Sequence, residues 1–124
     1  SLMGKSNPQI YRYVVTSWPS KPVYAFHMPF PARYSFHAWD LYAFFQELEF
    51  WLESTPKQSD IQFARILQDN IINFAKTGKP LNNDWAVYPQ TAFISDKVSF
   101  SSAYLEEKCK FWLDNGFGKY AWVN

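Results

Sequence analysis

Residues 59–80 carry the longest helical pattern in the chain and set the scale of what it can fold into. Ala64, Leu67, Ile71, Phe74 and Ala75 recur at three- and four-residue spacing, the signature of one buried helix face. Ser59 offers an N-cap, and Asp60 sits in the first turn, where a carboxylate meets the positive end of the helix dipole. The pattern runs to about Lys76; Gly78 is the natural C-cap and Pro80 prevents resumption. A second helical pattern runs from Trp39 to about Leu52 through Leu41, Phe44, Phe45 and Leu48, and ends at Ser54-Thr55-Pro56.

Extended segments flank these helices. Residues 10–16 are β-branched and aromatic, bounded by Pro8 and Pro19, and read as a short strand or arm. Val23-Tyr24-Ala25-Phe26 reads as a buried strand, followed by a loop over 27–36 that holds Pro29 and Pro31. Residues 81–102 are loop-rich, with a turn at Asn82-Asn83-Asp84. Phe93-Ile94 and Val98-Ser99-Phe100 suggest a small hairpin. A last helix, about Ser102 to Leu113, places Leu105, Cys109 and Trp112 on one face. The tail Tyr120-Ala121-Trp122-Val123 is apolar enough to pack somewhere.

One domain is the most that 124 residues can build. Its 12 Phe, 8 Tyr and 6 Trp are hard for so small a body to bury, which points to a missing partner surface. Aromatic-rich small domains are the competing explanation. A net charge of +1 with scattered lysines argues against nucleic acid. One cysteine and two histidines, His27 and His37, make neither an internal disulfide nor a metal site, and no cofactor is expected. The apolar runs are too short and too interrupted by Gln46, Glu47 and Glu49 to span a membrane. Ser1-Leu2-Met3-Gly4 is too short and polar for a signal peptide and is compatible with a cloning remnant.

His37 follows the Pro-rich loop and precedes a strong helix. A histidine so placed is available as a general base, because a loop presents the ring while the helix fixes its backbone. A histidine satisfied within a turn is the plainer alternative.

The surroundings carry more. Val23-Tyr24-Ala25-Phe26, followed by His37-Ala38-Trp39-Asp40-Leu41-Tyr42-Ala43-Phe44-Phe45, resembles the signature of type-B carboxylesterases, the cholinesterase-like branch of the α/β-hydrolases. Asp40 stands at the family's acidic position, Leu41 at its leucine and Phe45 at its closing phenylalanine. Asn73-Phe74-Ala75-Lys76-Thr77-Gly78-Lys79-Pro80, then Trp85 with Tyr88-Pro89, then Cys109-Lys110-Phe111-Trp112 are similar to later family segments, in the same order.

This resemblance implies an α/β fold, with residues 1–124 forming the C-terminal portion of an α/β-hydrolase: a late core strand, the His loop and two to three helices. By itself such a piece would look α+β and helix-rich. It implies a carboxylic-ester hydrolase working through a Ser-His-Asp/Glu triad, with His37 as the catalytic histidine and a small ester as substrate. Chain order in that fold is serine, acid, histidine, so the other two members would lie upstream. The glycines at 4, 78, 116 and 118 cannot form a Gly-x-Ser-x-Gly elbow, and Ser35, Ser99, Ser101 and Ser102 read as loop and cap residues. The chain alone is expected to be inactive. Its partner would be the rest of the hydrolase domain, or a second copy covering the strand near 23–26. The family's usual settings are secreted, lumenal or cell-surface.

Several positions depart from the family pattern. Ala38 and Gln46 replace glycines, the latter suggesting a longer helix, and Trp39 is bulkier than usual. The stretch His27-Met28-Pro29-Phe30 is altered, and Cys109 lacks a pairing cysteine in residues 1–36; a buried free thiol is the alternative. Asp40, three residues after His37, does not match the place of the triad acid in that fold and reads as a cap or anchor for the following helix. His27, Phe30 and Tyr34 are candidates to line part of a cleft. Such departures leave two other readings: a cholinesterase-like module for protein binding or adhesion, and an independent small α+β domain that oligomerises.

Overall fold

The computed structural model describes residues 9–24 and 29–116. In chain order these form β1 (Arg12–Val15), α1 (Trp39–Phe44), α2 (Leu48–Leu52), α3 (Gln58–Thr77), β2 (Thr91–Ile94), β3 (Val98–Ser101) and α4 (Glu106–Asp114). The sheet order is β1-β2-β3. β1 runs parallel to β2, Arg12 opposite Thr91 and Val15 opposite Ile94. Parallel strands need a crossover connection, and α1 to α3 supply it. β2 and β3 form the expected hairpin, with Ile94 opposite Val98 and the turn closed by Ser95 N–H donating to the Lys97 carbonyl.

The core lies between one face of the sheet and the helices. Trp39, Ala43, Leu48, Leu52, Phe63, Leu67, Trp85, Ala92 and Ile94 are buried there. Trp39 stacks on Phe63 at 6.3 Å between ring centroids, which joins α1 to the N-terminal part of α3. The buried stripe of α3 sits slightly off the one read from spacing: Ala64 and Leu67 are inside, but Asp60, Phe63 and Asn70 join them, while Phe74 and Ala75 are exposed.

The start of α3 also differs. Its cap is Lys57, not Ser59. Asp60 is fully buried, and its carboxylate accepts the Lys57 N–H at 2.8 Å and the Ser20 N–H at 3.1 Å. That carboxylate reaches back to set the first turn two residues earlier, and it ties the helix start to the segment after β1. The helix ends as expected on Gly78, whose φ of 76° is the left-handed cap that glycine adopts most readily.

The single helix read over 39–52 is two. Gln46 has φ 63°; its N–H donates to the Ala43 carbonyl and the Glu47 N–H to the Tyr42 carbonyl. This paired pattern is a Schellman close, with Gln46 at the left-handed position usually held by glycine. The expectation that glutamine here lengthens the helix is therefore overturned. Leu48 and Leu52 are buried on α2, and packing them turns the chain whether or not glycine is present. Ala38, before α1, is likewise left-handed at φ 70°.

A left-handed backbone costs a side chain with a Cβ roughly 1–2 kcal/mol, and glycine's extra unfolded-state freedom offsets about 0.4–1 kcal/mol of the gain on replacement. Gln46→Gly and Ala38→Gly should therefore each stabilise the fold, by up to about 1.5 kcal/mol. A urea midpoint that falls for both variants would contradict these backbone assignments.

Two further expectations are corrected. Val23 does not enter the sheet: it exchanges backbone hydrogen bonds with Ala32 as an isolated bridge that closes the Pro-rich loop, and Tyr24 is exposed. Ala25 and Phe26, like His27 and residues 120–123, lie outside the described residues. The strand before His37 is β1, whose Val15 packs against the core, as does Tyr11 just before it. The last helix starts at Glu106, and none of its residues is buried, Cys109 included. No described element covers the face that Cys109 and Trp112 share, so the thiol faces solvent.

Candidate functional site

His37 stands at the turn that leads into α1. The Trp39 N–H donates to the Phe36 carbonyl at 3.1 Å, closing the turn around it. The rings on both sides point inward: Trp39 has no exposed surface, and Phe36 packs 5.5 Å from it and 6.3 Å from Tyr42. With both neighbours committed to the core and Ala38 left-handed, the His37 side chain is left on the outside, where it is exposed. A loop histidine on a buried aromatic anchor has a defined backbone position and an accessible ring, which general-base chemistry requires.

Asp40 does not turn toward a catalytic role. Its Oδ2 accepts the Tyr13 hydroxyl at 2.9 Å and its Oδ1 accepts the Leu41 N–H at 3.0 Å. The carboxylate thus anchors the first turn of α1, and it anchors it to β1. Tyr13 is the residue that sequence reasoning missed. Its only signal was its place in the strand alternation, which says nothing of a partner on a later helix.

Burial, the hydrogen bond to Asp40 and the charge of Asp40 together push the Tyr13 hydroxyl up to about 12. An ordinary tyrosine in the unfolded chain loses its proton near pH 10. The folded state therefore holds this proton more tightly, so its contribution to stability is complete below about pH 10 and is lost as pH rises toward 12. Because Tyr13 is 37% exposed, solvent screening keeps the effect modest. Denaturation midpoints between pH 9 and 12 should fall less steeply for Tyr13→Phe than for the parent. Identical slopes would remove the Tyr13–Asp40 bond from the account.

The ground around Tyr13 is apolar. A recess of about 210 Å³ is lined by Tyr13, Leu41, Phe44, Phe45 and Ile71. A smaller one of about 130 Å³ is lined by Tyr11, Tyr13, Phe74 and Trp85. Both lie beside β1, the edge strand of the parallel pair. Phe30 and Tyr34, read as possible cleft residues, are exposed, and Tyr34 packs edge-on against Trp18 at 5.1 Å. Ser101 acts as a turn residue, its Oγ accepting the Ala103 N–H. Among the described residues, no group of three or more His, Cys, Asp or Glu is placed to hold a metal ion, and no helix is long and apolar enough to cross a membrane.

No protein-family profile and no curated protein matches this chain. Among solved structures it is similar to PNB esterase, with a TM-score of 0.65 over 81% of the chain at 24% sequence identity. The chain spans 21% of that esterase's length. The likeness shows the fold: among the described residues, a three-stranded sheet and four helices laid out as in part of that esterase.

Proposed function

We propose that this chain is the C-terminal segment of a serine carboxylic-ester hydrolase of the cholinesterase-like kind, and that His37 is the histidine of its Ser-His-Asp/Glu triad. The observation that carries this reading is the esterase-like fold with an exposed histidine held at the turn that leads into α1, the first helix of the crossover. In such a triad the imidazole takes the serine proton as the ester carbonyl is attacked, then returns it to the leaving alcohol. An upstream carboxylate orients the ring, and upstream backbone amides receive the oxyanion.

The edge position of β1 supports the same reading. A parallel pair is normally an interior part of a larger sheet covered on both faces. Here the outer edge of β1 is flanked by apolar recesses and by exposed Leu41, Phe45 and Phe74. The remainder of a hydrolase sheet would pair with that edge and cover those side chains. The substrate is then a small ester, and the setting that goes with this reading is secreted, lumenal or cell-surface.

The isolated chain should show no serine-dependent hydrolysis of p-nitrophenyl acetate, and turnover should appear once the upstream part of the natural protein is joined to it. Turnover by the isolated chain, or none by the extended one, would refute the assignment.

A further inference from the structure

We propose that Tyr13 is a positioning residue for His37: its hydroxyl, bound to Asp40, locks the first turn of α1 to strand β1 and so fixes where the imidazole stands. This rests on the catalytic reading of His37 given above, and it deepens it. Helix α1 has only 6 residues, and a helix that short does not hold itself together. Left-handed residues bound it on both sides, Ala38 before it and Gln46 after it. Its place must come from outside.

The anchors are few. Trp39 and Ala43 are buried from within the helix. At the far end, Gln68 of α3 donates its side-chain amide to the Phe44 carbonyl. At the His37 end, the polar tie to the sheet is the Tyr13–Asp40 bond, which joins residues 27 apart in sequence. Tyr13 is itself held firmly: it lies opposite fully buried Ala92 in the parallel ladder, and its ring meets Trp85 edge-on at 6.2 Å. The strand therefore acts as a fixed post. Without the hydroxyl, the first turn loses that tie to β1 and pivots on the Trp39 ring, which stacks on Phe63, with the Trp39 N–H still bonded to the Phe36 carbonyl. His37 is two residues from that pivot.

The test uses both the chain itself and the hydrolase made by restoring the upstream part. In the isolated chain, imidazole NMR signals of His37 should shift or broaden in Tyr13→Phe and in Asp40→Ala, while Asp40→Asn, which keeps an acceptor, should stay nearer the parent. Tyr104→Phe, on the opposite face of the sheet against Phe93, should leave them unmoved. In the active hydrolase, Tyr13→Phe should lower kcat by roughly 10- to 100-fold with KM little changed, the scale of a misplacement of about 1 Å. Unmoved His37 signals in folded Tyr13→Phe would overturn the proposal whatever the activity. An extended chain with no esterase activity would sink the catalytic reading, and the NMR comparison would still decide whether Tyr13 positions the ring.

Discussion

Replacing Trp39 with alanine is expected to remove most of the chain's stability at room temperature. The indole has no exposed surface, stacks on Phe63 and packs against Phe36. Removing a buried tryptophan costs about 3–5 kcal/mol, set against roughly 5–15 kcal/mol of total stability for a domain. This chain should sit at the low end of that range, because Trp18, Tyr24, Phe45, Phe50 and the face of α4 all leave large apolar surface in water. The gentler Trp39→Phe loses ring volume but also removes an indole N–H that is buried without a hydrogen-bond partner among the described residues. Its cost should therefore be well below that of alanine. On α4, Trp112 is 53% exposed, and Trp112→Ala should change stability by no more than about 0.5 kcal/mol. Urea midpoints followed by near-ultraviolet circular dichroism rank the three. Equal losses at 39 and 112 would mean that the core is not where the structure puts it.

The elements legible in the sequence were those decided locally. Gly78 and Pro80 end α3 because one supplies the left-handed cap and the other cannot continue a helix. The β-branched run 10–16 became β1, and Phe93-Ile94 with Val98-Ser99-Phe100 became the hairpin. What was misread depended on distant partners. Val23-Tyr24-Ala25-Phe26 has strand-like residues, but sheet membership is settled by which segment lies beside 91–94, and that is β1. The break at Gln46 was invisible because glutamine rarely takes that conformation, and the burial of Leu48 and Leu52 imposes it. The helix spacing of Leu105, Cys109 and Trp112 promised a buried face, yet no described element covers it.

The candidate site was legible to the same degree. The turn position of His37 could be read from the Pro-rich loop before it and the helix after it, and the anchoring role of Asp40 from its place in a first turn. The partner of Asp40 could not, since a strand tyrosine and a helix carboxylate share no pattern in the chain. Asp60 shows the same limit: its dipole role was readable, its bond to the Ser20 N–H was not.

The central claim is that His37 supplies the general base of an ester hydrolase, and alanine at that position tests it most directly. In a triad the members act as a unit, so loss of the histidine leaves only what binding and the oxyanion donors provide. The side chain is exposed and its neighbours carry the packing, so His37→Ala should fold as well as the parent. The measurement is kcat for p-nitrophenyl acetate in the chain joined to its upstream part, with and without His37→Ala. The expected result is a fall on the order of 10⁴-fold or more at unchanged thermal stability. Turnover within a few-fold of the parent would contradict the account, and His37 would then be an ordinary surface residue of an esterase-like fold.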